Sequence, residues 1–138
     1  MNDTKPHDLE VFCVIEGKEY SVTVDKRPAG ECGREQDAWS VTVSVYQEDL
    51  KWWRCVFTET AEDERDHLSA IRWAFKRIRR RQNEWVRSWA QHRYYASLEH
   101  GGKRAYYTKW ANSARKQALT YAPTWKLCKQ IWKEITKL

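Results

Sequence analysis

Residues 61–100 contain neither glycine nor proline, so no backbone breaker stops a single helix from running through them. Within this run, core-type positions recur every three or four residues, which places them on one helical face. Thr60 can cap the first amide groups, and the acids after it suit the positive end of the helix dipole. The pattern predicts a helix from about residue 61 to about residue 98. Its seam consists of Leu68, Ile71, Phe75, Ile78, Gln82, Trp85, Trp89, His92 and Ala96.

Four segments before this helix have the composition and alternation of β-strands. Gly17, which follows Glu16 between the first two segments, can supply the positive φ of a tight hairpin turn. In the fourth segment, alternation places Trp53, Cys55 and Phe57 on one face. We therefore predict two antiparallel hairpins. The segments are LEVFCVI (9–15), YSVTV (20–24), AWSVTVSVY (38–46) and WWRCVFT (52–58).

The second face of the predicted sheet also carries large apolar side chains. They are Phe12, Val14, Tyr46, Trp52 and Val56. A contiguous apolar patch is either covered or used for binding. We expect a C-terminal helix to cover it, with a partner surface as the alternative. The connection KRPAGECGREQDA (26–38) is longer than a hairpin pair needs, which predicts a mobile or binding loop.

Gly101-Gly102 predicts the end of the long helix, and a second helix is expected over 104–121. Pro123 then predicts a break and the start of a third helix. The predicted fold class is α+β: a four-stranded antiparallel sheet, a long basic helix and two shorter helices. A chain of 138 residues fits a single domain, 1–138, with an acidic β half (1–60) and a basic, tryptophan-rich helical half (61–138).

Charge is distributed unequally along the chain. Residues 1–66 hold 8 Lys/Arg and 16 Asp/Glu, whereas residues 67–138 hold 17 and 3. A positive C-terminal half attracts polyanions, and a negative N-terminal half repels them. We therefore expect a polyanion to approach the C-terminal half.

The predicted function is non-enzymatic binding of nucleic acid, of undetermined type, through the basic helical surface. Two alternatives are a solvated helix face and neutralisation by the protein's own acidic half. The predicted cations are Arg72, Lys76, Arg79, Arg80, Arg87, Lys103, Arg104, Lys109, Arg115 and Lys116. The aromatic residues predicted to assist them by stacking on bases are Trp52, Trp73, Tyr106 and Trp110.

No catalytic, metal-binding or cofactor motif is present, so we predict neither an enzyme nor a metal or cofactor site. The acids Glu59, Glu62, Asp63, Glu64 and Asp66 could hold Mg²⁺, but a helix N-terminus accounts for them more simply. The four cysteines, Cys13, Cys32, Cys55 and Cys128, form no CxxC pair. With no apolar run of about 18 residues and no signal region in MNDTKPHDLE, we expect a cytoplasmic protein with reduced thiols and no membrane contact.

A protein-binding role is the alternative from another functional class. A small chain rich in aromatic residues and arginine can act as an inhibitor or adaptor, because these residues dominate interface hot spots. One example would be an anti-CRISPR-like protein, encoded by a phage or mobile element, that blocks a host protein or nucleoprotein complex. A homodimer through the long helix, around Trp85, Trp89 and His92, is compatible with either function.

The strands followed by FTETAEDERDHLSAIRWAF (57–75) resemble, in topology, double-stranded-RNA-binding domains and the arm-type DNA-binding domains of phage integrases. In the first family, a lysine cluster at the start of the helix binds phosphate, whereas this chain has the sequence EDERD at that position. In the second family the sheet reads the groove, and this sheet offers mainly Lys18, Lys51 and Arg54. We therefore assign no residue a role from either family.

Overall fold

The computed structural model describes residues 7–27, 30, 38–62 and 66–137. Four strands form one antiparallel sheet in the order β1-β2-β3-β4, and two helices follow. The α+β class and the four-stranded antiparallel sheet are therefore confirmed. Most of the predicted loop at 26–38, including Pro28, Cys32 and Gly33, lies outside the described residues. The elements are β1 (Leu9–Ile15), β2 (Lys18–Arg27), β3 (Ala38–Gln47), β4 (Trp52–Glu62), α1 (His67–Leu98) and α2 (Gly101–Ile135).

The chain divides into two compact units. The first, called the sheet unit, comprises Met1–Phe75 and Lys129–Leu138. The second, called the hairpin unit, comprises Lys76–Cys128. Each helix contributes to both units, so the unit boundaries lie within α1 and α2 and not at residue 60, the boundary between the β half and the helical half in the sequence prediction.

The first hairpin turn has the backbone that the sequence predicts. Glu16 and Gly17 have φ values of 51° and 80°, the two positive values of a type I′ turn, whose twist matches that of the flanking strands. Ile15 therefore pairs directly with Lys18. In the second hairpin, Lys51 has φ 50° and ends the turn before β4.

An irregularity in β4 changes which residues share a face of the sheet. Val43 pairs with Phe57, but the next residue of β3, Ser44, pairs with Cys55, so Val56 is an extra residue. Such a β-bulge reverses the alternation on the bulged strand. The prediction that Trp53, Cys55 and Phe57 share one face is therefore wrong.

The valine-rich face of the sheet contacts helical residues of the sheet unit. The ring of Phe57 lies 6.0 Å from that of Phe75, and the ring of Trp39 lies 4.8 Å from that of His67. Burial of aliphatic side chains is the main stabilising term at such a layer. The fully buried residues here include Val22, Val24, Val41, Val43, Ala70, Ile71, Ala74 and Ile131.

Contrary to the predicted helix cover, the opposite face of the sheet leaves large apolar side chains exposed among the described residues. Phe12 is 51% exposed and Val14 is 63% exposed. Their face also carries Tyr46 and Trp53, with ring centroids 5.9 Å apart for Phe12 and Trp53 and 5.3 Å apart for Tyr46 and Trp53. The expectation of helix cover is wrong because the helical residues of the sheet unit contact the valine-rich face. Trp52, at the start of β4, is also exposed.

The first helix starts later than predicted. Strand β4 continues to Glu62, where it pairs with Ala38, so Thr60 lies in the sheet and caps no helix. Asp66 is the cap: its carboxylate accepts a hydrogen bond from the Ser69 amide at 2.8 Å, and its carbonyl accepts one from the Ala70 amide at 3.1 Å. The Ser69 hydrogen bonds lower the pKa of Asp66.

The second helix is continuous, so the prediction of three helices is wrong. α2 spans 35 residues and contains Pro123 in its interior. Its buried positions keep helical spacing on both sides of the proline, from Ala114 and Ala118 to Cys128 and Ile131. Burial on both sides offsets the one backbone hydrogen bond that proline removes.

Candidate nucleic-acid interface

The hairpin unit is built from two antiparallel helical segments joined by Glu99 and His100. Contacts between them pair early residues of one with late residues of the other: the guanidinium of Arg79 stacks on Trp125, whereas Tyr95 contacts Tyr107. Small residues at the contact allow two helices to approach closely. The small buried residues of this unit are Ala96, Ala111, Ala114 and Ala118.

Positive charge is concentrated in the hairpin unit. Its 53 residues include 13 Lys/Arg and 2 Asp/Glu, a formal net charge of +11. The remaining residues of the chain, which make up the sheet unit, have a formal net charge of −5. Every residue of the hairpin unit is described. Its acids, Glu84 and Glu99, form no ion pair with the cations of this unit.

All ten predicted cations have exposed side chains. Arg72 belongs to the sheet unit and the other nine to the hairpin unit. Within the fully described hairpin unit, none of the nine is held by a carboxylate. Two are partly occupied by ring contacts: the guanidinium carbons of Arg79 and Arg115 lie 5.9 Å and 5.7 Å from the rings of Trp125 and Trp89.

A groove of about 420 Å³ runs between the two helical segments, and we call it the arginine groove. No carboxylate lines it. Three arginines reach it, Arg93 from α1 and Arg104 and Arg115 from α2. Ser97, Thr108 and Asn112 add hydroxyl and amide groups. The lining residues are Trp89, Arg93, Ala96, Ser97, Arg104, Thr108, Ala111, Asn112 and Arg115.

Trp89 holds two of these arginines in place. The guanidinium carbons of Arg93 and Arg115 lie 5.6 Å and 5.7 Å from its ring centroid, within the range of a cation–π interaction. The arginine fork can hold two oxygens of one phosphate group. An ordered pair of guanidinium groups beside a third arginine, Arg104, is therefore suited chemically to a phosphate anion.

Six aromatic side chains form a second feature of the hairpin unit, which we call the aromatic cluster. Successive ring centroids lie 5.5–6.4 Å apart. His92 is fixed by the hydrogen bond that its Nδ1 donates to the Ser88 carbonyl at 2.7 Å, and the Tyr95 hydroxyl accepts one from Gln91 at 3.0 Å. The members are His92, Tyr94, Tyr95, Tyr106, Tyr107 and Trp110.

Three members of the aromatic cluster are exposed to an unusual degree for aromatic residues. Tyr94 is 60% exposed, Tyr106 is 58% exposed and Trp110 is 48% exposed. Tyr106 and Trp110 were predicted as stacking residues, and their rings lie 6.1 Å apart. The other two predicted aromatics belong to the sheet unit, Trp52 on β4 and the half-buried Trp73 on α1.

Sequence reasoning did not identify Arg93 as a site residue. Arg93 lies four residues after Trp89, and Arg104, Thr108 and Asn112 also follow one another at intervals of four. Residues at this interval share one face of a helix. The spacing within each helix was visible, but no periodicity shows that the two faces meet at one groove.

No group of three or more His, Cys, Asp or Glu side chains among the described residues could hold a metal ion, and no described helix is long and apolar enough to cross a membrane. Cys13, Cys55 and Cys128 are free thiols. Of the predicted acidic cluster, Glu59 and Glu62 lie on β4 and Asp66 caps α1. Asp63 and Glu64 lie outside the described residues.

Comparison with protein families, curated proteins and solved structures found no match. A functional assignment for this chain therefore depends on the chemistry of the hairpin unit.

Proposed function

We propose that this protein binds nucleic acid without catalysing a reaction and that the hairpin unit is its binding surface. The observation that carries this proposal is a formal charge of +11 on 53 residues, with nine predicted cations that are exposed and are not held by a carboxylate of the unit. A solvated helix face usually mixes acidic and basic residues at intervals of four. This unit has only two acids, Glu84 and Glu99.

Two physical features support a polyanionic ligand. A field of one sign concentrates counter-ions and raises the association rate of an oppositely charged partner. Helices also hold their cations at fixed spacing, so several phosphates can be neutralised at once, with release of condensed counterions. Arginine is the better cation for this purpose because its planar fork fits phosphate. Of the 13 cations of the hairpin unit, eight are arginine and five are lysine.

The first test is the dependence of affinity on salt. We expect the logarithm of the binding constant for a labelled oligonucleotide to fall linearly with the logarithm of salt concentration, by about 0.7–0.9 per neutralised phosphate. Fluorescence anisotropy at several salt concentrations measures this slope. Affinity that does not change with salt would rule out the proposal.

A charge-reversal variant locates the binding surface. Arg80→Glu with Arg87→Glu should weaken binding strongly at low salt, because four units of charge change on the hairpin unit. These two arginines are preferable to Arg79, which stacks on Trp125 and contributes to packing. The matched control is Lys18→Glu with Arg54→Glu, which makes the same change in net charge on the sheet unit. Equal losses in the two variants would show that net charge, and not the hairpin surface, controls binding.

The exposed apolar face of the sheet favours a second candidate, a protein-binding inhibitor or adaptor. Phe12, Val14 and Trp53 lie on this face, and such a patch is typical of a protein interface. The discriminating experiment is purification from host lysate after nuclease treatment. A protein that remains bound to the wild-type chain, but not to Phe12→Ser with Val14→Ser, would favour this candidate.

A further inference from the structure

The aromatic cluster bears on which form of nucleic acid the hairpin unit can bind. Tyr94, Tyr106 and Trp110 each leave about half or more of their surface in solvent, although burying an aromatic ring is favourable. Their rings form a connected series with Tyr95 and Tyr107. Exposed rings next to cations are the usual platform for unpaired bases, whose faces are free to stack. In a duplex those faces are already stacked on one another.

The arginine groove points to the same form of nucleic acid. It lies between two packed helices, whose axes are about 8–10 Å apart in such pairs. Its volume of about 420 Å³ lies within the range of small-ligand pockets. One sugar-phosphate backbone can enter such a groove and bring a phosphate to Arg93, Arg104 and Arg115. An unpaired strand is flexible enough to follow such a groove, whereas a duplex is stiff.

We infer that the preferred ligand of the hairpin unit is an unpaired nucleic-acid strand. The arginine groove binds its phosphate groups, and the aromatic cluster stacks on its bases. This inference rests on the proposed function and narrows it to a class of ligand. Neither feature reads a base edge, so the binding is tolerant of sequence.

The first experiment compares three ligands: a single strand of about 16 nucleotides, the duplex that contains this strand and therefore carries twice as many phosphates, and an abasic strand of the same length as the single strand. Anisotropy at one moderate salt concentration gives the three affinities. We expect the single strand to bind at least about tenfold more tightly than the duplex. It should bind at least about fivefold more tightly than the abasic strand. This is the difference in affinity expected from the stacking of one base.

The outcomes separate this inference from the proposed function. Salt-dependent binding that is equal for single strand and duplex would leave the proposed function standing and overturn the inference. Equal affinity for the abasic strand would also overturn it, because no base would then contribute. Absence of salt-dependent binding to every ligand would overturn both.

Neighbouring residues on α2 provide a matched test of the arginine groove. Arg104 lines the groove and Lys103, one position earlier, does not, although both are exposed cations. Arg104→Gln should weaken single-strand binding at least about tenfold, the loss expected for a charged group with a specific phosphate contact. Lys103→Gln should weaken single-strand binding less, because it removes one cation that neutralises phosphate without a specific contact. The pair Arg115→Gln and Lys116→Gln repeats the comparison, and equal losses in both pairs would overturn the groove's role.

The aromatic cluster is tested by Trp110→Ser and Tyr106→Ser. Both side chains are exposed, so the fold should survive the change, which circular dichroism checks. Each variant should lose affinity for the single strand and keep its affinity for the abasic strand. Leu119→Ser is the control, since Leu119 is an exposed apolar residue of α2 outside the cluster. A loss that is the same for both strands would show that the rings do not stack on bases.

Discussion

Cys128 and Cys55 are thiols in opposite environments. Cys128 is fully buried, and this burial raises its pKa to about 12 from the ordinary value of 9.0. Cys55 is exposed on β4. Only the thiolate is nucleophilic, so reactivity requires both ionisation and access. We expect a maleimide to label Cys55 quickly in the native protein and to label Cys128 only after denaturation. Mass spectrometry of the labelled peptides measures this, and early labelling of Cys128 would contradict its burial.

The raised pKa of Cys128 also predicts a dependence of stability on alkaline pH. The folded state keeps the thiol protonated while the unfolded state ionises at its ordinary value of 9.0. The stabilisation is therefore complete below pH 9 and is lost as pH rises through the interval up to about 12. Denaturant titration of the wild type and of Cys128→Ala between these limits should show a steeper decline for the wild type. Equal declines in the free energy of unfolding of the two proteins would contradict the raised pKa of Cys128.

Gly17 predicts a stability effect that depends only on the backbone. Its φ of 80° lies in the left-handed region, and a Cβ at this position would meet no atom within 4 Å. Gly17→Ala should lower the free energy of unfolding by about 1–2 kcal/mol, the strain of a non-glycine residue in that region. Gly102→Ala is the control: this glycine lies in α2 without a positive φ, so alanine there should stabilise the protein by up to about 1 kcal/mol. Equal effects in urea titrations would contradict the turn geometry.

At the scale of elements, α2 contains a proline that the rest of the helix tolerates. Pro123 cannot donate a hydrogen bond to the carbonyl of Leu119, and its ring crowds that carbonyl. Pro123→Ala should restore the bond and raise the free energy of unfolding by about 1–3 kcal/mol. Denaturant titration measures the gain, and circular dichroism should show no loss of helix.

The control for this change is Thr124→Ala, which introduces alanine one position later without adding a backbone donor. It should change the free energy of unfolding by no more than about 0.5 kcal/mol. A chain that breaks at Pro123, as the sequence pattern suggested, would lose the fixed φ of proline and gain nothing from the alanine. Destabilisation by Pro123→Ala would therefore support three helices and contradict the continuous α2.

Local periodicity predicted most of the elements. Alternation and turn chemistry placed β1, the turn at Glu16 and Gly17, and β3 correctly, because these depend on short-range backbone preferences. The three-and-four spacing likewise identified the buried side of α1 at Ile71 and Ile78. The register of β4 was not predictable, since the extra residue Val56 is specified by pairing with β3.

The start of α1 was predicted wrongly because, as in β4, pairing between strands decides the local structure. Thr60 is an acceptable cap in isolation, but strand pairing with Ser40 holds it in the sheet, and Asp66 caps the helix instead. Exposed cations such as Arg80 were predictable from helical spacing. The arginine groove was not, because it requires Arg93 and Arg104 to meet from two different helices.

At the scale of the whole molecule, the two units have formal charges of opposite sign, −5 for the sheet unit and +11 for the hairpin unit. Charges of opposite sign on one chain allow the acidic unit of one copy to attract the basic unit of another. The range of this attraction is set by the Debye length, about 30 Å at 0.01 M salt and about 8 Å at 0.15 M. We therefore predict weak self-association at low salt that disappears near physiological salt.

Sedimentation velocity at about 0.01 M and about 0.15 M salt tests this prediction, because these values span the change in Debye length. Added oligonucleotide should dissociate the oligomer that forms at low salt, since its phosphates compete with the sheet unit's carboxylates for the same cations. A homodimer through Trp85, Trp89 and His92 would behave differently, because apolar contacts are not screened by salt. Association that persists at the higher salt concentration would therefore exclude the electrostatic explanation and favour the helix-mediated dimer. Trp85→Ser, at a partly exposed position, would then abolish it.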